Sequence, residues 1–250
     1  MDAEFKGKTI AVTGAANGIG RAIACRFASA GARILAVDVD LAMLEALATE
    51  LGKERVSSYR IDCMDRAAVE AGFAAMQEEH PVIDVLVNNV GQSARERASL
   101  FHETRPEVWD FVIGICLSTT LNVTRQVVTG MRERRSGKII NISSEAAFTG
   151  ESRLADYSAA KAGILGFTRG LAAELAPLGI NVNAICPGVT RTRAIMANPP
   201  SVIQPAIDAT PRGVMTEPED IANVAAFLAS EQSRAIIGQA IVVGGGRVMQ

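Results

Sequence analysis

Apolar residues in this chain follow two rhythms that alternate from end to end. Short apolar runs closed by glycine or an acid read as strands, and longer stretches with apolar positions at helical intervals read as helices. Strands fall at residues 8–12, 33–37, 56–61, 82–87, 138–142, 181–185 and 240–243. Helices fall between them: one from Gly20 through Ala30, closed by Gly31, and others at residues 41–51, 67–79, 109–131, 154–176 and 219–229. Repeated strand-helix units predict an α/β fold, a doubly wound, Rossmann-like parallel sheet with helices on both faces. No repeat, low-complexity tract or linker divides the chain, so a single domain over residues 1–250 is expected. Residues 190–216 follow neither rhythm and hold four prolines, which predicts a long functional loop with partial helix.

Composition narrows the function. A 48% apolar content is ample for a core, and a net charge of −2 offers no field for nucleic acid or an anionic membrane. Cys25, Cys63, Cys116 and Cys186 are far apart, and with only His80 and His102 no metal site is expected. That is the pattern of reduced thiols. The opening residues show no signal peptide, and no uninterrupted apolar run looks long enough to span a bilayer. A cytoplasmic protein is expected.

The first strand breaks into Thr13-Gly14-Ala15-Ala16-Asn17-Gly18-Ile19-Gly20 ahead of a helix. Strand, glycine turn and helix together bring backbone N–H groups and a helix N-terminus against a pyrophosphate. Gly14 permits the turn, Gly18 close approach of a ligand, and Gly20 close helix-to-strand packing. Asp38 ends the second strand, where a carboxylate accepts hydrogen bonds from ribose hydroxyls and repels a 2′-phosphate. Asn17 and Val39 are neutral, so no cation waits for that phosphate. NAD is therefore expected in preference to NADP. Asn88-Asn89-Val90-Gly91 closes the fourth strand, Asn88 either facing a ligand or tying neighbouring strands together.

Tyr157 and Lys161 stand four residues apart on the helix at 154–176, hence on one face. A phenol in water titrates near ~10, and a cation held beside it favours the phenolate. Such a pair suits proton exchange with an alcohol or ketone near neutrality.

Taken together, these residues resemble the short-chain dehydrogenases/reductases over nearly the whole of residues 8–246. The resemblance rests on the glycine stretch, Asn88-Asn89-Val90-Gly91, Ser144, Tyr157-Ser158-Ala159-Ala160-Lys161 and Pro187-Gly188-Val189-Thr190-Arg191-Thr192, in order and at the family's intervals. It implies that Gly14, Asn17, Gly18, Ile19 and Gly20 form the pyrophosphate loop and that Asp38 holds the adenosine ribose. Asp62 would lie beside the adenine and Asn89 near the adenosine side. Val189 and Thr192 would hold the nicotinamide carboxamide, with Pro187-Gly188 shaping the turn. Lys161 would also contact the nicotinamide ribose. Ser144, rather than Ser143, would hold the substrate oxygen, and Tyr157 would move the hydroxyl proton as hydride passes to or from NAD. The resemblance also implies a homotetramer, with which the helices at 109–131 and 154–176, apolar over more than one face, are consistent.

The chain also departs from that family. Alignment on Trp109-Asp110 sets Cys116 where the family has an asparagine that anchors a water of a proton relay, and Asn122 falls on another face. A thiol is a poor substitute in hydrogen bonding. Gly244 stands where an acid commonly precedes the last glycine pair.

Candidate substrate residues are Gln92, Ser93, Ser144, Glu145 and Arg153, with Arg191 and Arg193 in the long loop. Their polarity favours a small polar alcohol or ketone (a sugar, polyol or hydroxy acid), the arginines being suited to a carboxylate. The alternatives are a reductase of 3-oxoacyl thioesters and, because of Cys116, a catalytically weak nucleotide-binding regulator.

Overall fold

The structure is a computed structural model describing residues 4–249. Met1-Asp2-Ala3, part of the opening read above for a signal peptide, and Gln250 lie outside the described residues. The elements run β1 (Thr9–Thr13), α1 (Gly18–Ser29), β2 (Arg33–Asp38), α2 (Leu41–Leu51), β3 (Val56–Arg60) and α3 (Arg66–Glu79). Then come β4 (Val85–Asn88), α4 (Pro106–Ile113), α5 (Thr119–Arg134), β5 (Gly137–Ile142), α6 (Ala146–Thr149) and α7 (Ala155–Leu175). The chain closes with β6 (Ile180–Pro187), α8 (Arg193–Met196), α9 (Pro200–Asp208), α10 (Pro218–Ala229) and β7 (Ala240–Val243).

The seven strands form one sheet in the order β3-β2-β1-β4-β5-β6-β7, every pairing parallel. Alternate strand residues feed two cores. Ile10, Val12, Ile34 and Ala36 face Ile23, Phe27, Leu44, Leu47 and Ile221 of α1, α2 and α10. Ala11, Leu35 and Val37 face Val69, Phe73, Val123, Val127 and Leu175 of α3, α5 and α7. A sheet covered on both faces makes its strands nearly continuous apolar runs, and β6 is buried along its whole length.

Strand order reverses between β1 and β4, which opens a crevice at their carboxyl ends, where ligands bind in open α/β sheets. Asn88 does not face it. Its Nδ2 donates to Thr124 Oγ1 and Asn141 Oδ1, each at 2.9 Å, and Asn141 Nδ2 donates to Thr168 Oγ1 at 2.9 Å. This buried chain of side chains ties α5, β4, β5 and α7 together, so the strand-tying alternative holds.

One expectation needs correction: a stretch does have the length and composition to span a bilayer. The helix expected at residues 109–131 is a continuous helical stretch, Pro106–Arg134, long and apolar enough by length and composition to cross a membrane. It packs as a core helix instead, burying Val112, Cys116, Val123, Val127 and Met131. Its centre, Gly114–Ser118, is a π turn, in which Thr119 N–H donates to Gly114 O. Within residues 190–216, α8 and α9 supply the partial helix expected there. None of the α9 residues is buried, so that helix adds nothing to the core that periodicity could have revealed.

Candidate active site

The β1–α1 turn is tight for a steric reason. A Cβ on Gly20 would stand 2.1 Å from Gly14 O and 2.5 Å from Asn89 Nδ2. Gly14 itself has φ +64°, in the left-handed region. Asn89 closes the turn from behind, donating to Thr13 O and Gly14 O at 3.1 Å each. Asn17 caps α1 without spending its side chain, and the first turn carries no acid. The positive end of α1 is therefore open to an anion.

Asp38 sits at the end of β2, accepting from Ala16 N–H at 3.0 Å and Asp40 N–H at 3.1 Å. These bonds fix the carboxylate at the crevice edge. Asp62 lies across from it, held by Met64 N–H at 2.9 Å. Burial pushes the neighbouring Cys63 thiol up to about 12, so it is no nucleophile at neutral pH.

Along the crevice from Asp38, β5 and α7 contribute the second group of residues. Lys161 is 3% exposed, and its Nζ donates to Ile142 O at 2.9 Å and lies 5.7 Å from the centre of the Tyr157 ring. Ser143 is buried, and its hydroxyl donates to Lys161 O at 2.8 Å, which locks α7 to β5. Ser144 Oγ accepts from Ala146 N–H at 3.2 Å and keeps its own proton for the crevice.

One crevice of about 1180 Å³ thus holds Gly14, Asn17, Gly18, Ile19, Asp38 and Asp62 at one end. Asn89 lines it beside the turn, Gln92, Ser144, Tyr157, Lys161 and Arg153 line it farther along, and Pro187 and Thr192 also line it. The volume exceeds the ~300–1,000 Å³ usual for one small ligand and leaves room for a dinucleotide and a substrate together. A tight glycine turn, an open helix N-terminus and a carboxylate held at the crevice edge fit a nicotinamide dinucleotide.

Four expected residues stay outside the lining. Gly20 packs behind the turn, as its spacing suggested. Val189 is drawn into an extended ladder, its carbonyl accepting from Thr216 N–H at 2.9 Å. Arg191 is exposed and pairs with Glu217 at 2.9 Å. Glu145 turns elsewhere too. It is 3% exposed and turns beneath Gly188 and Gly244, its Oε1 accepting from Arg247 Nη1 at 2.8 Å. Arg247 also reaches Glu151 at 3.1 Å, while Glu145 Oε2 has no partner.

Cys116 sits in the π turn and donates its thiol proton to Gln92 O at 3.3 Å. Its carbonyl accepts from Thr120 Oγ1 at 3.0 Å. The thiol therefore braces the loop after β4. A Cβ on Gly91 would stand 3.0 Å from Lys161 Nζ and 3.3 Å from this sulfur, so the lysine and the thiol close on Gly91 together. Arg95, Glu96, Ala194 and Asn198 also line the crevice and were not singled out by sequence. They lie in segments with no periodicity, and Ala94, with φ +46°, turns the chain in a way its residue type does not signal.

Known proteins match this arrangement along its whole length. A family model described as enoyl-(acyl carrier protein) reductase matches residues 14–247. The chain belongs to the short-chain dehydrogenase/reductase family. It is 36% identical to a 3-oxoacyl-acyl-carrier-protein reductase of Thermotoga maritima, covering 98% of this chain and 99% of the relative. It is 39% identical to an acetoacetyl-CoA reductase of Shinella zoogloeoides, over 94% of this chain and 96% of that one. A solved 3-oxoacyl-acyl-carrier-protein reductase of Brucella melitensis with bound NAD superposes with a TM-score of 0.91 at 35% identity, covering 100% of this chain and 94% of its own. These relatives are reductases of thioesters, which favours the thioester alternative over the small polar substrate expected from the loop composition.

Proposed function

We propose that this chain reduces 3-oxoacyl thioesters to 3-hydroxyacyl thioesters with NADH. The observation that carries the reading is the meeting of Ser144, Tyr157 and Lys161 with the glycine turn and Asp38 in one crevice. A nicotinamide cofactor bound there supplies hydride to the ketone carbon. Tyr157 gives its phenolic proton to the ketone oxygen. Ser144 donates a hydrogen bond to the same oxygen as charge develops on it. Lys161, anchored through one N–H to Ile142 O, keeps two N–H groups for the phenol side and a ribose hydroxyl. Gly14, Asn17, Gly18 and Ile19 cradle the pyrophosphate, with Gly20 packed behind the turn. Asp62, Asn89, Pro187, Val189 and Thr192 complete the cofactor site, and the segment at 190–216 covers the substrate.

Cofactor choice rests on Asp38, whose carboxylate accepts from ribose hydroxyls and repels a 2′-phosphate. Initial rates with acetoacetyl-CoA, read at 340 nm with NADH and with NADPH, test both parts. Turnover with NADH favoured is expected. A clear NADPH preference overturns the Asp38 argument. Turnover of a hydroxy acid or polyol with NAD⁺, and none of the thioester, overturns the substrate. Binding of NADH with no turnover in either panel leaves the regulator reading forced by Cys116. The same reading carries a cytoplasmic homotetramer, for which sedimentation of a monomer is the contrary result.

A further inference from the structure

Charge is distributed unevenly along the crevice. Asp38, Asp40 and Asp62 line it beside the glycine turn, and Arg95 and Arg153 line it beside the loop after β4, with Glu96 the acid among them; Arg193 also lines it, next to Thr192, whose Cγ2 stands 3.4 Å from where a Gly18 Cβ would be. Glu96 lies 3.5 Å from Arg97, which is engaged over the Phe111 ring at 4.7 Å. Arg95 and Arg193 form no salt bridge or side-chain hydrogen bond among the described residues, although arginine neighbours do, as in the Arg191–Glu217 pair.

Arg153 is held in a costly way. Its φ is +68°, and with Ala94 at +46° it accounts for two of the three left-handed non-glycine residues described. Both line the crevice. Such strain is kept where the surrounding structure fixes it, and at functional sites it orients a group. Here it swings the guanidinium across to the loop after β4, where Nη2 donates to Ala98 O at 3.1 Å. That single bond aims the side chain and leaves the rest of its donor fork free.

Resting on the thioester reading above, we infer that Arg153, supported by Arg95, recognises the phosphorylated pantetheine handle that carries the acyl group. A 3-oxoacyl group is uncharged near its ketone, so two guanidinium groups with free donors beside the loop after β4 have no partner in the reacting part of the molecule. Arginine forks match phosphate oxygens bidentately. The acids beside the glycine turn keep that anion from the cofactor half.

The test compares kcat/KM, with saturating NADH, for acetoacetyl-CoA and acetoacetyl-pantetheine, which lacks phosphate. The ratio is expected to be about tenfold or more and to shrink with added salt. Arg153→Gln and Arg95→Gln are each expected to lower it roughly fivefold. Arg153→Gly relieves the left-handed backbone while removing the charge, so a fall of the ratio in that variant too is not misfolding. Acetoacetyl-4′-phosphopantetheine separates the sources: full efficiency means that the phosphate shared with carrier proteins is read, and an advantage confined to the CoA ester means its nucleotide part. A wild-type ratio near one, or one unmoved by all three substitutions, overturns the inference while leaving the reductase reading intact. Absence of turnover with every thioester overturns both.

Discussion

Replacing Arg247 by alanine isolates the least expected electrostatic feature of the molecule. Glu145 has a side chain 4% exposed, and Arg247, 23% exposed, is the cation that compensates it while also serving Glu151. Burial is the main influence on the Glu145 carboxyl and pushes it above the ordinary carboxylate range; the bond and charge of Arg247 pull it back. Removing one partner of a buried pair costs ~3–5 kcal/mol because the other charge is left in a poor solvent. Arg247 is partly hydrated, so about 2–3 kcal/mol is the better figure. For a chain of this size that corresponds to a fall of roughly 5–10 °C in the unfolding midpoint near neutral pH.

The pH dependence gives the sharper check. Without Arg247 the folded carboxyl rises further and holds a proton that the unfolded chain releases above about 4.3. The folded state then binds more protons than the unfolded one, so stability falls as pH rises, by up to ~1.4 kcal/mol per pH unit between the two values. The Arg247→Ala loss should therefore be small near pH 5 and full near pH 7.5, measured by thermal or urea unfolding at both. Adding Glu145→Gln should flatten that slope. An equal loss at both pH values, or a slope that survives the second substitution, refutes the account.

Other substitutions probe the rest of the site. Gly20→Ala sets a Cβ 2.1 Å from a backbone oxygen, so it should cost ~1–3 kcal/mol in urea unfolding and weaken NADH binding measured by fluorescence titration. Tyr157→Phe should lower kcat by about 10²–10⁴ while NADH affinity stays within roughly threefold; full turnover would sink the proton-transfer role. Asn141→Leu leaves Asn88 and Thr168 without their shared partner, and should cost ~1–3 kcal/mol of stability with the cofactor preference unchanged.

How legible the molecule was in its sequence follows from which forces wrote each part. Strands buried on both faces must be apolar throughout, and their covering helices must be apolar on one face, so the order of elements could be read with ends shifted by a few residues. The glycine turn was legible because backbone crowding at Gly20 admits no other residue. Side chains on irregular segments were not. Glu145 and Arg191 carry the charge that a substrate contact needs, yet neighbours remote in sequence, Arg247 and Glu217, decide where they point. The π turn at Cys116 was equally hidden, because one extra residue in a helical turn leaves the average apolar period almost unchanged.

The Glu145 cluster and the Cys116 turn have a common logic. Where the family commonly has an acid before the last glycine pair, this chain has Gly244, and the room is taken by a carboxylate from another element: Glu145 Oε2 stands 2.6 Å from where a Gly244 Cβ would be. The C-terminal segment is tied through Arg247 to Glu145, the residue next to Ser144. At position 116 the family's asparagine is gone, and the thiol spends its one proton on Gln92 O, tying the loop after β4 to the helix beneath it. In both places a contact fixes a crevice wall, one beside Ser144 and the other beside Lys161. A rigid frame around those residues serves a proton transfer that depends on ångström-scale placement.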